Sequence, residues 1–312
     1  MKQTKKTLVV LLGLLALVLA LAACTSNNVE PATPRTITDR EGYTITLPGE
    51  INTIITLGPS NAEILVALGL ASNIIATDSF SADVAGLGTG VARAFGITDF
   101  DAEYITELMP DIIFASGGLS RAGEEDGPMA PVAAAGITVL YMPTSTSIAE
   151  IMEDIRFIAD VMGVNEASET VIADMQSEID AISRIAAGIT QTRTVYFEIS
   201  PSPWMFSFGT GTFLHEIIEL IGATNIFAGI EGWHSVSEEE LLELNPDIIL
   251  TSVDFMDDPI AEIMGRPGFD AIIAVQNEAV FSIDANASNR PSQHIVIALR
   301  QIAQAVFPEY FQ

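Results

Sequence analysis

Sixteen consecutive apolar residues, Leu8–Ala23, stand near the start of the chain, and a polar, proline-bearing stretch, Thr25–Arg35 (TSNNVEPATPR), follows them. From Thr36 onward, short β-branched or apolar runs alternate with stretches of helical periodicity. Ile51–Leu57 (INTIITL), Ile74–Thr77, Ile112–Ala115, Thr138–Tyr141 and Val195–Ile199 read as strands. Gly58-Pro59 predicts a turn, and Ser60 with Glu63 three places on predicts a helix opened by a capping box. Ile64, Leu65 and Leu68 mark its apolar face, and Gly69 stands where it would end. Strands separated by helix-length segments predict parallel sheets covered by helices.

Two longer helices follow. Ser147–Met162 carries Ile148, Ile151, Ile155, Ile158 and Met162 along one stripe, and Gly163 breaks it. Asn165–Ile189 is free of proline, and of glycine until Gly188, with Val171, Met175, Ile179, Ile182 and Ile185 at three- and four-residue spacing. About 22 helical residues span about 33 Å, long enough to bridge two domains.

An internal repeat defines what is bridged. Glu103–Ser116 (EYITELMPDIIFAS) and Glu239–Ser252 (EELLELNPDIILTS) share eight of fourteen residues at a constant offset of 136. A weaker echo pairs Glu63-Ile64-Leu65 and Gly69 with Glu216-Ile217-Ile218 and Gly222 at an offset of 153. The period far exceeds the roughly 20–50 residues of solenoid repeats, so the expectation is two similar lobes. The fold class expected is therefore α/β: two Rossmann-like lobes with parallel-type sheets, joined by a single long helix, with a cleft between them.

Charge and the apolar start add the cellular setting. Lys2, Lys5 and Lys6 precede the apolar run, which ends in Leu21-Ala22-Ala23-Cys24. A basic start, a short apolar core and small residues before a cut describe a secretory signal, and sixteen residues fall short of the roughly 20 needed to span a bilayer. The Leu-Ala-Ala-Cys ending resembles the bacterial lipobox, which implies that Cys24, the only cysteine, is the lipid-bearing first residue of the mature protein. The expected division is 1–23 signal peptide, 24–35 tether, 36–164 N-terminal lobe, 165–189 connecting helix and 190–312 C-terminal lobe. Beyond residue 23 the chain has ten arginines, no lysine and 41 acidic residues, a formal charge of −31. Nucleic acid is excluded as a partner, because phosphate binding needs basic patches.

Four stretches together resemble the substrate-binding proteins of importers for iron–siderophore complexes, haem and cobalamin. They are TLGPSNAEILVALGL at Thr56–Leu70, the L-x-P-D-I-I blocks at Leu108 and Leu244, FGTGTFLHEIIELIGATNIF at Phe208–Phe227, and NRPSQHIVIAL at Asn289–Leu299. The resemblance implies a monomeric binding protein without a cofactor, taking a small chelate in the cleft and serving an ABC permease and its ATPase. It ranks a ferric siderophore first as ligand, then cobalamin or haem. It also implies that Glu103 and Glu239, one per lobe, dock on permease arginines. The residues favour the same pair independently, since Asp101 and Ser237 occupy equivalent N-cap positions and place both glutamates in a first helical turn.

Ligand contacts are expected from aromatic and polar side chains. Trp204 and Met205, in SPSPWMFSF, are expected to line a loop at the cleft, with at least one of Phe206 and Phe208 in the core. Trp233, six residues before Glu239, matches a ligand-facing tryptophan of cobalamin-binding relatives. Arg290 matches an arginine that siderophore-binding relatives place near an anionic chelate, and Arg121, in GGLSRAGEEDG, is a second candidate. His234 is a candidate metal contact and also an ordinary loop histidine. With histidines at 215, 234 and 294 only, a dedicated three-histidine site for a free ion is not expected. The rival reading is an exported hydrolase or a free-metal-ion binder. His215-Glu216-Ile217-Ile218-Glu219 lacks the second histidine of a zinc protease helix, Ser60 is not in a G-x-S-x-G elbow, and Gly209-Thr210-Gly211 alone is weak evidence of an anion cradle.

Overall fold

The computed structural model describes residues 33–96, 101–116 and 127–311. Strand β1 (Arg35–Thr38) pairs antiparallel with β2 (Thr44–Leu47). Strands β3 (Ile54–Leu57), β4 (Ile74–Asp78), β5 (Ala92–Phe95), β6 (Ile112–Ala115) and β7 (Thr138–Tyr141) form an all-parallel sheet ordered β5-β4-β3-β6-β7. After the connecting helix come β8 (Thr194–Glu198), β9 (Phe206–Phe208), β10 (Thr224–Asn225), β11 (Trp233–Ser235), β12 (Ile248–Thr251) and β13 (Val280–Ser282). A second all-parallel sheet runs β10-β8-β12-β13, and β9 and β11 make an antiparallel pair. The expected α/β class with two parallel sheets is what the chain adopts.

The helices that matter for the site are α1 (Pro59–Ala67), α2 (Ala102–Glu107), α3 (Ala130–Ala134), α4 (Ile148–Met162), α5 (Asn165–Ala186), α6 (Phe213–Leu220), α7 (Glu238–Leu244) and α8 (Pro259–Met264). After these come α9 (Ile273–Gln276), α10 (Ala285–Asn289) and α11 (Ile295–Val306). Helix α4 is capped by Ser147 Oγ and ended by Gly163 in the left-handed conformation, as its pattern predicts. In α5 the buried stripe is Ile172, Met175, Ile179, Ile182 and Ala186, while Ile185 is 42% exposed. The predicted stripe of Val171 and Ile185 is thus rotated by one residue at each end, because packing against two lobes selects the helix phase.

One buried apolar cluster runs from Ile54, Leu65 and Phe114 through α4 and α5 to Phe197, Ile217, Leu250 and Ile302. The outer face of each sheet carries its own smaller cluster. The two lobes therefore share a core across the connecting helix, and separating them would expose part of it to water.

The repeat is visible as repeated bonding. Asp111 Oδ2 accepts from Thr53 N and Oγ1 at 2.8 and 2.9 Å, and Asp247 Oδ2 accepts from Thr194 N and Oγ1 at 2.8 Å each. Each threonine hydroxyl in turn accepts from the aspartate's N–H at 3.0 Å. Met109 and Asn245, at matching positions, both take φ near +45°. The Pro-Asp-Ile-Ile block thus ties the start of one strand to its neighbour in each sheet.

Candidate functional site

Segments beyond the C-terminal edges of the two parallel sheets meet where Asn286, after β13, donates to Asp83, after β4, at 2.6 Å, the edge at which open α/β sheets bind ligands. At the end of β3 the chain turns sharply into α1 through Gly58, whose φ is +113°. A Cβ there would lie 2.0 Å from Ser116 Oγ, so only glycine fits. Gly58 N donates to Asp78 Oδ2 at 2.8 Å, and the fully buried Asp78 also accepts from Ser81 Oγ and Phe80 N. This knot joins the ends of β3 and β4 and leaves Phe80 61% exposed. A cavity of about 260 Å³ opens beside it, lined by Gly58, Asn61, Ser116 and Thr144 from one lobe and by Asn289 and Arg290 from the other.

The predicted capping box at Ser60 and Glu63 does not form. Gly58 is the N-cap of α1, and no side chain caps it. Glu63 is instead 4% exposed and reaches across the lobes. It accepts from Arg290 Nη1 at 2.9 Å and Ser292 Oγ at 2.5 Å, and lies 3.1 Å from His294 Nδ1. Burial pushes its carboxyl pKa up, but hydrogen bonds from His294, Ser292 and Arg290 outweigh that and hold it below the ordinary range. Arg290 also pairs with Asp83 at 2.8 Å and donates to Phe80 O. Glu216, the counterpart of Glu63 in the weaker echo, returns the tie: its carboxylate accepts from Ile148 N at 2.8 Å, at the start of α4.

In the second lobe β8 ends in Glu198, held bidentately by Arg266 at 2.6 and 2.8 Å. Arg266 grips Glu262 with its remaining edge, and its guanidinium stands over Phe269. Burial pushes the Glu198 carboxyl up against the pull of Arg266. The chain then forms the loop Ile199–Phe206, whose Trp204 is 81% exposed over a groove of about 480 Å³. Phe255, beyond the end of β12, is 73% exposed. Phe80, Trp204 and Phe255 thus each follow a strand's C-terminal end, one on the first lobe and two on the second. Phe80 and Phe255 escape sequence reasoning because nothing local separates them from core phenylalanines such as the fully buried Phe208.

The predicted site residues are divided by this geometry. Met205, expected to line the cleft, is 3% exposed and packs beneath Trp204 with Tyr196, Phe227 and Val236, so it is floor rather than wall. Trp233 is partly exposed, with its ring edge-on to Phe208 and Phe213 at 5.7 and 6.1 Å. The Arg290 guanidinium is already flanked by two carboxylates. His234 stacks edge-on to Phe227 at 4.7 Å with both ring nitrogens buried and unpartnered. The described residues contain no cluster of metal-ligating side chains. Gly209 fits no anion cradle: its would-be Cβ lies 1.9 Å from Ile230 O, so it permits close backbone packing. Arg121 and Cys24 lie outside the described residues, within which no helix is long and apolar enough to cross a membrane.

Glu103 and Glu239 occupy the same position, second residue of α2 and of α7, and both are exposed. Asp101 caps α2 by accepting from Glu103 N and Tyr104 N, and Ser237 caps α7 in a full capping box with Glu240. Both helices begin on the cleft side, since each leads back from there into a strand that returns toward it.

Comparison with known proteins gives one consistent result. The family profile described as "Periplasmic binding protein" matches residues 54–287. An uncharacterized ABC transporter substrate-binding lipoprotein of Bacillus subtilis, YvrC, is 26% identical over 284 residues, covering 89% of this chain and 87% of its own. The solved periplasmic vitamin B12 binding protein of Vibrio cholerae superposes with a TM-score of 0.68 at 25% identity, covering 84% of this chain and 99% of that one. A possible iron-binding periplasmic protein of Staphylococcus epidermidis gives 0.70 at 25% identity, covering 82% and 98%.

Proposed function

The chain belongs to the periplasmic binding protein family, and on that premise we propose that it is a lipid-anchored extracytoplasmic receptor that hands a metal chelate to an ABC import permease. The family is one of transport-related binding proteins rather than enzymes, and its members serve permease–ATPase complexes. What supports the ligand reading is three exposed aromatics, Phe80, Trp204 and Phe255, each just beyond the C-terminal end of a strand in one of the two parallel sheets. Flat apolar faces suit a bulky, partly apolar chelate.

Sequence reasoning ranks a ferric siderophore first. The arrangement around Arg290 favours cobalamin instead. Its guanidinium is neutralised by Glu63 and Asp83, so it offers an anionic chelate little attraction. The Vibrio protein named for vitamin B12 supports the same order. Haem and ferric siderophores remain the second reading, through Arg121 as an anion contact.

Purified mature chain, titrated with cyanocobalamin, haemin and ferric siderophores, tests the reading. A true ligand at a hundred times its Kd raises stability by about 2.7 kcal/mol. A panel that leaves the melting curve unmoved refutes it. For docking, Glu103→Arg with Glu239→Arg should abolish uptake while leaving affinity intact; lost affinity would place these residues in the site or the fold instead. Labelling of the cellular protein by radioactive palmitate, absent in Cys24→Ser, tests the anchor.

A further inference from the structure

The loop Ile199–Phe206 is fastened at its two ends and loose at its tip. Ile199 N donates to Phe206 O at 2.9 Å, Phe206 N to Ser200 O at 3.2 Å, and Val236 N to Met205 O at 3.0 Å. Beneath, the buried Arg266 holds Glu198 just before the loop and lies 3.9 Å from Met205 Sδ at its end. At the tip, Ser202-Pro203-Trp204, the Trp204 N–H donates within the loop, to Pro201 O at 3.0 Å. One hydrogen bond ties the tip to the rest of the described residues: Ser202 Oγ donates to Glu238 Oε1 at 2.9 Å. Glu238 is the first residue of α7 and the immediate neighbour of Glu239.

We propose that this loop couples engagement of α7 by the permease to release of ligand, with Ser202 and Glu238 as the coupling pair. The inference rests on the docking and ligand readings above and adds a physical link between them. A guanidinium arriving at Glu239 also meets Glu238 one residue away. A guanidinium that takes the Glu238 carboxylate bidentately occupies both oxygens and turns the side chain away from Ser202. The clamped ends stay in place while the tip loses its tie, and Trp204, two residues from Ser202, leaves the cleft rim. Because coupling is reciprocal, bound ligand that steadies Trp204 also holds Glu238 and so shapes the surface presented for docking.

Hydrogen–deuterium exchange of residues 199–206 tests this, comparing free protein with protein bound to the host permease–ATPase complex in nanodiscs. Docking is scored separately by co-elution. The expected result is several-fold faster exchange of this segment on docking. Ser202→Ala and Glu238→Ala, which each remove one side of the bond, should exchange as fast when free, with docking adding nothing, and with urea stability unchanged. Co-elution with unaltered exchange at 199–206, or variants that behave as the parent does, overturns the coupling and leaves the docking reading standing. Failure to co-elute at all, with Glu103→Arg and Glu239→Arg no different from the parent, overturns both.

Discussion

Glu63 is the sharpest point at which to perturb the contact between lobes. Glu63→Ala removes the acceptor of the fully buried Ser292 hydroxyl, strips Arg290 of its buried partner, and leaves Arg290 facing Asp83 alone. An orphaned buried hydroxyl costs about 1–3 kcal/mol, and breaking a buried ion pair about 3–5. The contact to His294, whose side chain is 43% exposed, adds little after screening by water. Because Asp83 still neutralises Arg290, the ion-pair loss falls below that range, to about 2 kcal/mol, and with about 1 kcal/mol for the hydroxyl the total is about 3 kcal/mol. Glu63→Gln keeps an acceptor for Ser292 and should lose about half as much. At roughly 2–3 °C per kcal/mol for a chain of this size, the melting temperature falls by roughly 6–9 °C for Ala. The sign with pH follows from the lowered carboxyl. Its contribution is fully present above the ordinary value of 4.5 and is lost as pH falls through the depressed folded value. The gap between wild type and Glu63→Gln should therefore be constant near neutrality and close in acid. Thermal and urea unfolding of the mature chain at pH 7 and in acid measures both. A drop below about 2 °C for Ala, or a gap independent of pH, would refute the claim that Glu63 fastens the lobes.

Other perturbations separate fold from function. Gly58→Ala should destabilise by about 1–3 kcal/mol from backbone strain, with more from the clash at Ser116, and Ser116→Gly should recover only the clash part in thermal denaturation. Arg266→Met strands the Glu198 and Glu262 carboxylates and should cost about 3–5 kcal/mol in urea unfolding. Trp204→Ala should leave the melting temperature within about 1 °C, since the ring is mostly exposed, yet weaken cyanocobalamin binding by roughly tenfold or more in titration calorimetry. Equal affinity in that variant would remove Trp204 from the site.

What the sequence determined by itself is what neighbours along the chain decide. Strands β6 and β7 begin and end where their apolar runs do, and Asp101, Ser147 and Ser237 cap the helices they precede, because a cap joins groups only two or three residues apart. The duplicated block announced two lobes, and its aspartates and left-handed turns recur in both. Tertiary structure decided the rest. Glu63 looks like a capping residue until Arg290, Ser292 and His294 arrive from more than 225 residues away and take its carboxylate. The buried stripe of α5 shifts by a residue because two lobes, not one, press on it. Met205 and Trp204 are adjacent and both largely apolar, but the first fills the core with Tyr196 while the second stands in solvent. Periodicity within a few residues shows which face of an element is apolar; which apolar side chain is left uncovered depends on where the other lobe stops.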